Sequence, residues 1–500
     1  MKRNLPSGGT RKEDAAITRR RVLENAGAAM AAMATTAVLP SFARAAEPAI
    51  GPVMARLSDY MATAGSRALP GEALEHAKLH VLDTFAAIIS GTTLAPGQFA
   101  LTYARAHTGE KIATVAGSNV VCGVIDAATA NGILAHSDET DDYAPMGTHP
   151  GSAVVPAVLA LGEQSGIDGM RFLRAIALGY DLANRMAVVL GGQNFNSELH
   201  KSIHTATGTF GAAAAAGCVV GLNAQRMRWL MDYAAQQASG IAAWQRDTDH
   251  IEKAFVFAGI PARNGVTAAQ MVQLGATGVD DVFSGKDSYL EAYAPSADPA
   301  ILTAKLGEEY EIARTTIKKW TVGGPAQAAL DALDAILKRR PLEPNQVKQI
   351  VVKLGPRMGS VVNNREMPDV NVQHMLAVML IDKTASFAAA HDKPRMQDPA
   401  VLLQRAKVQL VFDPSIEPDI EARQAIVEVT LNDGTNLREH IQAVRGTPAN
   451  PMTRAEIVSK ARDLIGPVLG PANATKLIDG IANVESMKNI RDLRPLLQRA

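Results

Sequence analysis

Apolar residues recur at helical spacing through the first half of the chain. After Pro70 they follow one another at intervals of three and four residues as far as Ile89, and Gly91 can end this helix. The segment 207–220 consists largely of Gly and Ala, so we expect it to be a central helix that its neighbours cross closely. The same periodicity predicts further helices over 122–136, 153–164, 169–190, 224–243 and 262–274.

The pattern changes near residue 301. Val- and Ile-rich segments with partial alternation predict strands over 308–317, 347–355, 407–412 and 425–431, and Asn432-Asp433-Gly434 predicts a turn. Helices are expected between them at about 324–338 and 371–391, and again at 453–465 and 473–483. The chain is therefore predicted to be mainly α, with an α+β part. A large helical domain (46–300 plus 447–500) would be interrupted by a smaller α+β domain (301–446).

The first 45 residues have the layout of an export signal. A basic stretch ending in Arg19-Arg20-Arg21 is followed by a mildly apolar run, Ala26 to Leu39, and by the cleavage-like Ala43-Arg44-Ala45. The paired arginines resemble a twin-arginine signal, which predicts a periplasmic protein, or a cytoplasmic one if the signal does not function. The apolar run is shorter than the ~20 residues that span a bilayer, so no membrane anchor is expected after the signal is removed.

Composition narrows the classes of function. Of the 500 residues, 50 are Lys or Arg and 50 are Asp or Glu, so no global basic field favours nucleic acid. Two cysteines cannot form a disulfide framework. Neither a dinucleotide-binding G-x-G-x-x-G nor a G-x-S-x-G nucleophile motif occurs. His200 and His204 have the spacing of two zinc ligands, but Lys201 stands where a zinc protease has Glu, so no metal is predicted.

Three polar clusters lie at predicted helix starts and are the candidate chemistry. The segment 131–156 contains four acids, two histidines and a tyrosine between two helices. The segment 200–209 precedes the Ala-rich helix, and Lys253 precedes a third helix start. A single histidine usually packs and a single lysine is usually solvated, but together these clusters predict a pocket for a small anion. In it, His or Lys would take a proton from the carbon next to a carboxylate.

The residues of these clusters carry a resemblance to a known family. The chain resembles the MmgE/PrpD family, which includes 2-methylcitrate dehydratases, cis-aconitate decarboxylases and iminodisuccinate epimerases. The resemblance implies a helical domain with an inserted α+β lid, an active site between them, a homodimer and no organic cofactor. The matching segments are Val81-Leu82-Asp83-Thr84, Asn131 to His136, His149 to Ala157, Thr207 to Ala213, Ala262-Arg263-Asn264-Gly265 and Gly446 to Thr453.

The resemblance also implies site residues. Catalytic positions of the decarboxylase branch fall on Glu139, His149, His204 and Lys253, and a substrate-contacting Thr is replaced by Tyr143. The matched motifs add Thr207 and Arg263 as substrate-binding candidates.

The lid departs from the family pattern. A third catalytic histidine is expected within 321–331, where this chain has none, and His374 is the candidate substitute. Three functions therefore stay open. The first is a lyase that acts on a small carboxylate. The second is an epimerase or isomerase that uses His149 with Lys253 or His204. The third is a non-catalytic periplasmic binding protein.

Overall fold

The computed structural model describes residues 50–416 and 423–499, and the predicted export signal lies outside them. The first half of the described chain is helical apart from a small hairpin of β1 (Ala113–Thr114) and β2 (Val121–Cys122). A π-helical turn, Phe255–Gly259, joins the tenth helix to the eleventh. The helices are α1 (Pro52–Thr63), α2 (Gly71–Gly91), α3 (Ala95–Ala106), α4 (Val124–Ala135), α5 (Pro150–Ser165), α6 (Gly169–Val189), α7 (Asn194–Ser197), α8 (Ile203–Val220), α9 (Ala224–Gln237), α10 (Ile251–Ala254), α11 (Ile260–Gln273) and α12 (Tyr289–Tyr293).

Helix α8 lies at the centre of this helical part. It packs against α5, α6, α9 and α11, and its small residues allow these crossings to be close. A Cβ atom on Gly211 would lie 2.7 Å from the Gly179 carbonyl oxygen of α6, and one on Gly265 of α11 would lie 2.6 Å from Ala212. Among the described helices, α8 alone has the length and apolarity of a membrane span, but 94% of it is buried within the protein. The predicted central position of the Ala-rich helix is confirmed.

The second half contains a four-stranded sheet with the order β4-β3-β5-β6. Strands β3 and β4 are parallel, and the other pairs are antiparallel. Helix α13 packs against β5 and β6, and α15 contacts β4, so they cover the apolar side chains of the sheet. The elements are α13 (Gln327–Arg339), β3 (Val347–Leu354), α14 (Pro356–Val362), α15 (Val372–Asp382), α16 (Phe387–His391), α17 (Pro399–Arg405), β4 (Val408–Phe412), β5 (Ala425–Leu431) and β6 (Asn436–Ile441).

Buried apolar side chains form two clusters. The first contains residues from 54 to 317 and residues from 457 to 497. The C-terminal part of this cluster includes α18 (Arg454–Leu469) and α19 (Pro471–Ala482), which pack on α2. The last described helix is α20 (Arg494–Leu497). The second contains residues from 320 to 444. Leu302 and Ile312 belong to the first cluster, although the predicted boundary was at residue 301. The mainly helical fold with a smaller α+β part is confirmed, and the exact division into domains stays a prediction.

Three predicted elements differ from the structure. The segment 308–317 forms a 3₁₀ turn with isolated bridges only at Glu309 and Thr316, because it packs into the helical core and has no neighbouring strand among the described residues. The predicted helix 371–391 is interrupted after Asp382, where Lys383 adopts a left-handed conformation. Strand β6 was not predicted, because its sequence is mostly polar and it depends on pairing with β5.

Candidate active site

The loop 136–149 between α4 and α5 is anchored by buried hydrogen bonds. Asp142 accepts from Tyr180 Oη at 2.5 Å and contacts His80 Nδ1 at 2.7 Å. The same carboxylate accepts the Gly151 N–H at 3.1 Å, in the first turn of α5. The loop and the start of the helix are therefore held by one side chain, which fixes the position of His149 at the N-cap of α5.

Asp141 joins two histidines. Its carboxylate contacts His136 Nδ1 at 3.0 Å and His149 Nδ1 at 3.1 Å. Burial raises the pKa of Asp141, but His136, His149 and Lys318 together hold it well below its usual range. An ionised carboxylate only accepts hydrogen bonds, so both histidines donate through Nδ1, which leaves Nε2 without a proton when the ring is neutral.

His149 has the properties of a general base. Burial lowers its pKa, as do the nearby Lys318 and His136, although Asp141 opposes this shift. The imidazole is therefore neutral at pH 7, and it lines a cavity of about 580 Å³. Among the described residues, its Nε2 has no hydrogen-bond partner. An oriented neutral imidazole beside a cavity can accept a proton from a bound molecule.

Two lysines converge on Glu139. The Lys253 ammonium forms an ion pair with Glu139 Oε1. Lys318, which is 1% exposed, donates to the Glu139 carbonyl oxygen at 2.6 Å and lies 3.6 Å from Asp141 Oδ1. Burial raises the pKa of Glu139, but Lys253 and Lys318 lower it well below its usual range. Both lysines line the cavity, so their ammonium groups can contact a bound anion there.

His204 forms a second imidazole on the cavity wall. Its ring stacks on Phe257 with a centroid distance of 3.5 Å, and its centroid lies 5.7 Å from that of His149. Its Nδ1 is buried without a partner among the described residues. Burial, His149 and His136 lower the pKa of His204 well below its usual range, so it is a second neutral base or acceptor.

The structure places five of the eight predicted site residues around the cavity: Glu139, Tyr143, His149, His204 and Lys253. Thr207, Arg263 and His374 do not line it. The Thr207 hydroxyl donates to the Ile203 carbonyl within α8 at 2.9 Å. The Arg263 guanidinium is bonded to Asn264 Oδ1, and His374 is buried in the second cluster, on α15. Their role in substrate binding stays a prediction, and the structure places them away from the cavity wall.

Other cavity residues were missed by the sequence analysis. Lys318 and Arg423 line the cavity, and Gly323 and Gly324 lie in the segment where the family's lid histidine was expected. Lys318 gave no signal, because a lysine in a strand-like segment is normally solvated. Asp141 lies within the acidic segment 131–156, but its contact with two histidines depends on how the loop folds and is not indicated by residue spacing.

A cation site can be considered near these groups. His136, Glu139 and His250 have ligand atoms within 4.8 Å of one another, as do His136, Asp141 and His149. However, Lys253 and Lys318 both contact the Glu139 carboxylate, and Lys318 lies beside Asp141. Two ammonium groups already balance these acids, so the cluster suits an anionic ligand better than a dication.

The chain matches the MmgE/PrpD N-terminal domain over residues 55–302 and the MmgE/PrpD C-terminal domain over residues 320–486. It belongs to the MmgE/PrpD family. Among curated relatives, cis-aconitate decarboxylase of Homo sapiens is 26% identical over 452 residues, which cover 86% of this chain and 91% of the relative. Cis-aconitate decarboxylase of Mus musculus is 26% identical over 400 residues, which cover 74% of this chain and 78% of the relative. These relationships support, at the level of the family, a lyase of the dehydratase or decarboxylase type.

An ion pair joins α16, which packs in the second cluster, to the loop 136–149. His391 Nε2 of α16 lies 2.9 Å from Asp138 Oδ2. Burial favours the neutral imidazole, but Asp138, Asp369 and the Phe387 carbonyl raise the pKa of His391 to about 9. Because the pKa is raised above that of the unfolded chain, the pair stabilises the fold fully below about pH 6.5, and this stabilisation is lost as pH rises through 9.

His391→Gln is therefore expected to destabilise the protein by roughly 3 kcal/mol near neutral pH and by progressively less toward pH 10. Urea denaturation of the wild type and the variant at pH 7, 8.5 and 10 measures this difference. His107→Gln, on the exposed end of α3, serves as the control and should behave as the wild type throughout. An equal destabilisation at pH 7 and pH 10 would show that the ion pair is not its origin.

Proposed function

We propose that the protein is a lyase that removes water or CO₂ from a small molecule with more than one carboxylate. The observation that carries this proposal is the arrangement of His149, fixed by Asp141 with a free Nε2, in a cavity that also holds the Lys253 and Lys318 ammonium groups. This combination supplies a base for a carbon-bound proton and a positive environment for the negative charge that develops on the adjacent carboxylate.

Dehydration would proceed in two steps. The His149 Nε2 takes the proton from the carbon next to a carboxylate, and the electron pair of that C–H bond moves into the carboxylate beside Lys253 and Lys318. The pair then forms the C=C bond as the β-hydroxyl leaves with a proton, which the Lys253 ammonium on the cavity wall can supply. In decarboxylation, the C–CO₂ bond breaks instead, its electron pair stays on the carbon framework as CO₂ leaves, and a cationic side chain of the cavity such as the Lys253 ammonium gives a proton to that carbon.

The charges along the cavity favour a substrate with several carboxylates. Among the described lining residues, Arg365 and Arg423 are present in addition to the two lysines, whereas the acidic residues are Glu139 and Asp247. The excess of cations attracts a polyanion and raises its local concentration. The volume of about 580 Å³ exceeds what a one-carboxylate metabolite of a few carbons would fill.

An epimerase is the second candidate. It needs two bases that face the same carbon, and His149 and His204 are two imidazoles of lowered pKa whose centroids are 5.7 Å apart. Such an enzyme exchanges the hydrogen of its substrate with solvent without forming a new double bond. A binding protein would exchange nothing.

Proton NMR in D₂O tests the three functions. The mature protein is mixed separately with 2-methylcitrate, cis-aconitate, itaconate, iminodisuccinate and, as a one-carboxylate control, butyrate. We expect exchange of a hydrogen next to a carboxylate together with gain or loss of a vinyl signal for at least one polycarboxylate, and no change for butyrate. Exchange without a vinyl change would favour the epimerase, and line broadening without exchange would favour the binding protein and contradict the proposal.

A further inference from the structure

Arg423 lines the cavity just before β5, and it has no acidic partner among the described residues. Its guanidinium carbon lies 3.7 Å from the centre of the Tyr143 ring. Within the described chain, Arg423 has no hydrogen bond or ion pair, whereas Arg395 is bonded to Asp382 through two 2.6 Å contacts and Arg445 is paired with Glu456. Stacking on an aromatic ring orients a guanidinium and leaves its N–H edge available.

Gly324 makes this position possible. A Cβ atom at residue 324 would collide with Arg423 Nη1, so the arginine passes directly over the glycine backbone. The adjacent Gly323 differs, since a Cβ atom there would meet Val370 Cγ1 at 3.1 Å and nothing of the arginine. The side chain of Arg423 is thus accommodated by one specific glycine.

Tyr143 adds a second donor to the same wall. Its side chain is 2% exposed, it lines the cavity, and its hydroxyl has no hydrogen-bond partner among the described residues. The Lys318 ammonium lies 5.9 Å from the centre of the same ring. Arg423 and Lys318 are therefore no more than about 10 Å apart, a span that one small molecule with two carboxylates can bridge.

We propose that Arg423 and the Tyr143 hydroxyl form a second carboxylate subsite, separate from the charge at Lys253 and Lys318, that determines which anions the cavity accepts. This inference rests on the proposed function, because the first carboxylate is the one next to the reacting carbon. The guanidinium binds the second carboxylate through its two outer N–H groups, a geometry that lysine cannot reproduce.

The test compares the binding of two probes by calorimetry. Propane-1,2,3-tricarboxylate carries carboxylates for both positions, and butyrate carries one. Arg423→Ala is expected to weaken binding of the tricarboxylate about 10–100-fold and to change butyrate binding less than about twofold. Arg423→Lys should recover only part of the loss, since it keeps the charge but not the stack or the paired donors.

Gly324→Ala provides a second, independent test of the subsite. The added methyl group should displace the arginine and weaken tricarboxylate binding as Arg423→Ala does, and the double variant should be no weaker than either single one. Gly466→Ala, on α18 and not among the cavity-lining residues, is the control and should bind as the wild type, because an added Cβ atom there meets nothing within 4 Å. Circular dichroism and thermal melting verify that each variant is folded.

The outcomes separate this inference from the proposed function. If the wild type prefers the tricarboxylate but Arg423→Ala and Gly324→Ala retain that preference, the subsite is wrong and the polycarboxylate lyase stands. If the double variant Arg423→Ala/Gly324→Ala binds the tricarboxylate more weakly than either single variant, the two substitutions act independently. The role of Arg423 is then likewise contradicted. If the wild type itself does not prefer the tricarboxylate over butyrate, the proposed substrate class fails, and this inference fails with it.

Discussion

Replacing His149 with asparagine is expected to lower turnover of the substrate about 10²–10⁴-fold without unfolding the protein. The asparagine amide can donate to Asp141 in place of the imidazole Nδ1, so the loop stays anchored. The variant lacks Nε2, and with it the proton acceptor that faces the cavity. The rate of hydrogen exchange and of product formation, followed by NMR on the substrate that the panel identifies, measures the effect.

The same measurement on His107→Asn supplies the control, because His107 is exposed on α3, away from the cavity. Both variants should melt within a few degrees of the wild type. A His149→Asn variant that retains full activity would show that another group accepts the proton. His204, whose centroid lies 5.7 Å away, would then be the first alternative to examine.

Lys318→Met is expected to reduce the free energy of unfolding by about 3–5 kcal/mol at pH 7. Methionine can replace the aliphatic stem, but two buried carboxylates, Glu139 and Asp141, lose the cation that both of them contact. Their pKa values are depressed in the fold, so this contribution is present above the pKa values of the unfolded carboxyls and is lost as pH falls. The deficit of the variant should therefore persist down to the ordinary carboxyl pKa values and shrink only below about pH 4, so that it is smaller at pH 3 than at pH 7.

Urea denaturation at pH 7 and pH 3 measures the deficit. Lys319→Met is the matched control, since the neighbouring lysine is partly exposed and bonds Asp334 at 2.8 Å on the other side of the chain. We expect it to cost less than about 1 kcal/mol. Equal stability of the two variants would mean that Lys318 is not needed to balance the buried acids.

The sequence predicted the parts of the site that local patterns determine. The polar clusters that contain Glu139, His149, His204 and Lys253 stand out at loops and helix starts between apolar helices, and the resemblance to the MmgE/PrpD family selected these four residues within them. Helices such as α2 and α6 follow from apolar spacing alone. Thr207 lies in the same kind of motif, but its hydroxyl bonds its own helix, and residue spacing does not determine which way a side chain turns.

The remainder of the site depends on contacts between distant segments. Lys318 bonds a carbonyl group 179 positions earlier in the chain, and its burial cannot be inferred from its neighbours. Arg423 approaches Tyr143 only because the sheet returns it to the helical part and Gly324 leaves room. The segment 308–317 has strand-like composition but no strand beside it, and strand formation requires a partner.

The candidate active site is built by residues from two parts of the chain, each of which forms its own hydrophobic cluster. Glu139, His149, His204 and Lys253 belong to the part of the chain that builds the first cluster, whereas Gly324 and Arg423 come from the part that builds the second. Under the two proposals above, the residues for proton transfer and the residues that select the anion therefore lie on separate hydrophobic clusters. Within a family of this architecture, divergence in the second core can change which substrate is accepted while the reaction carried out by the first core is retained.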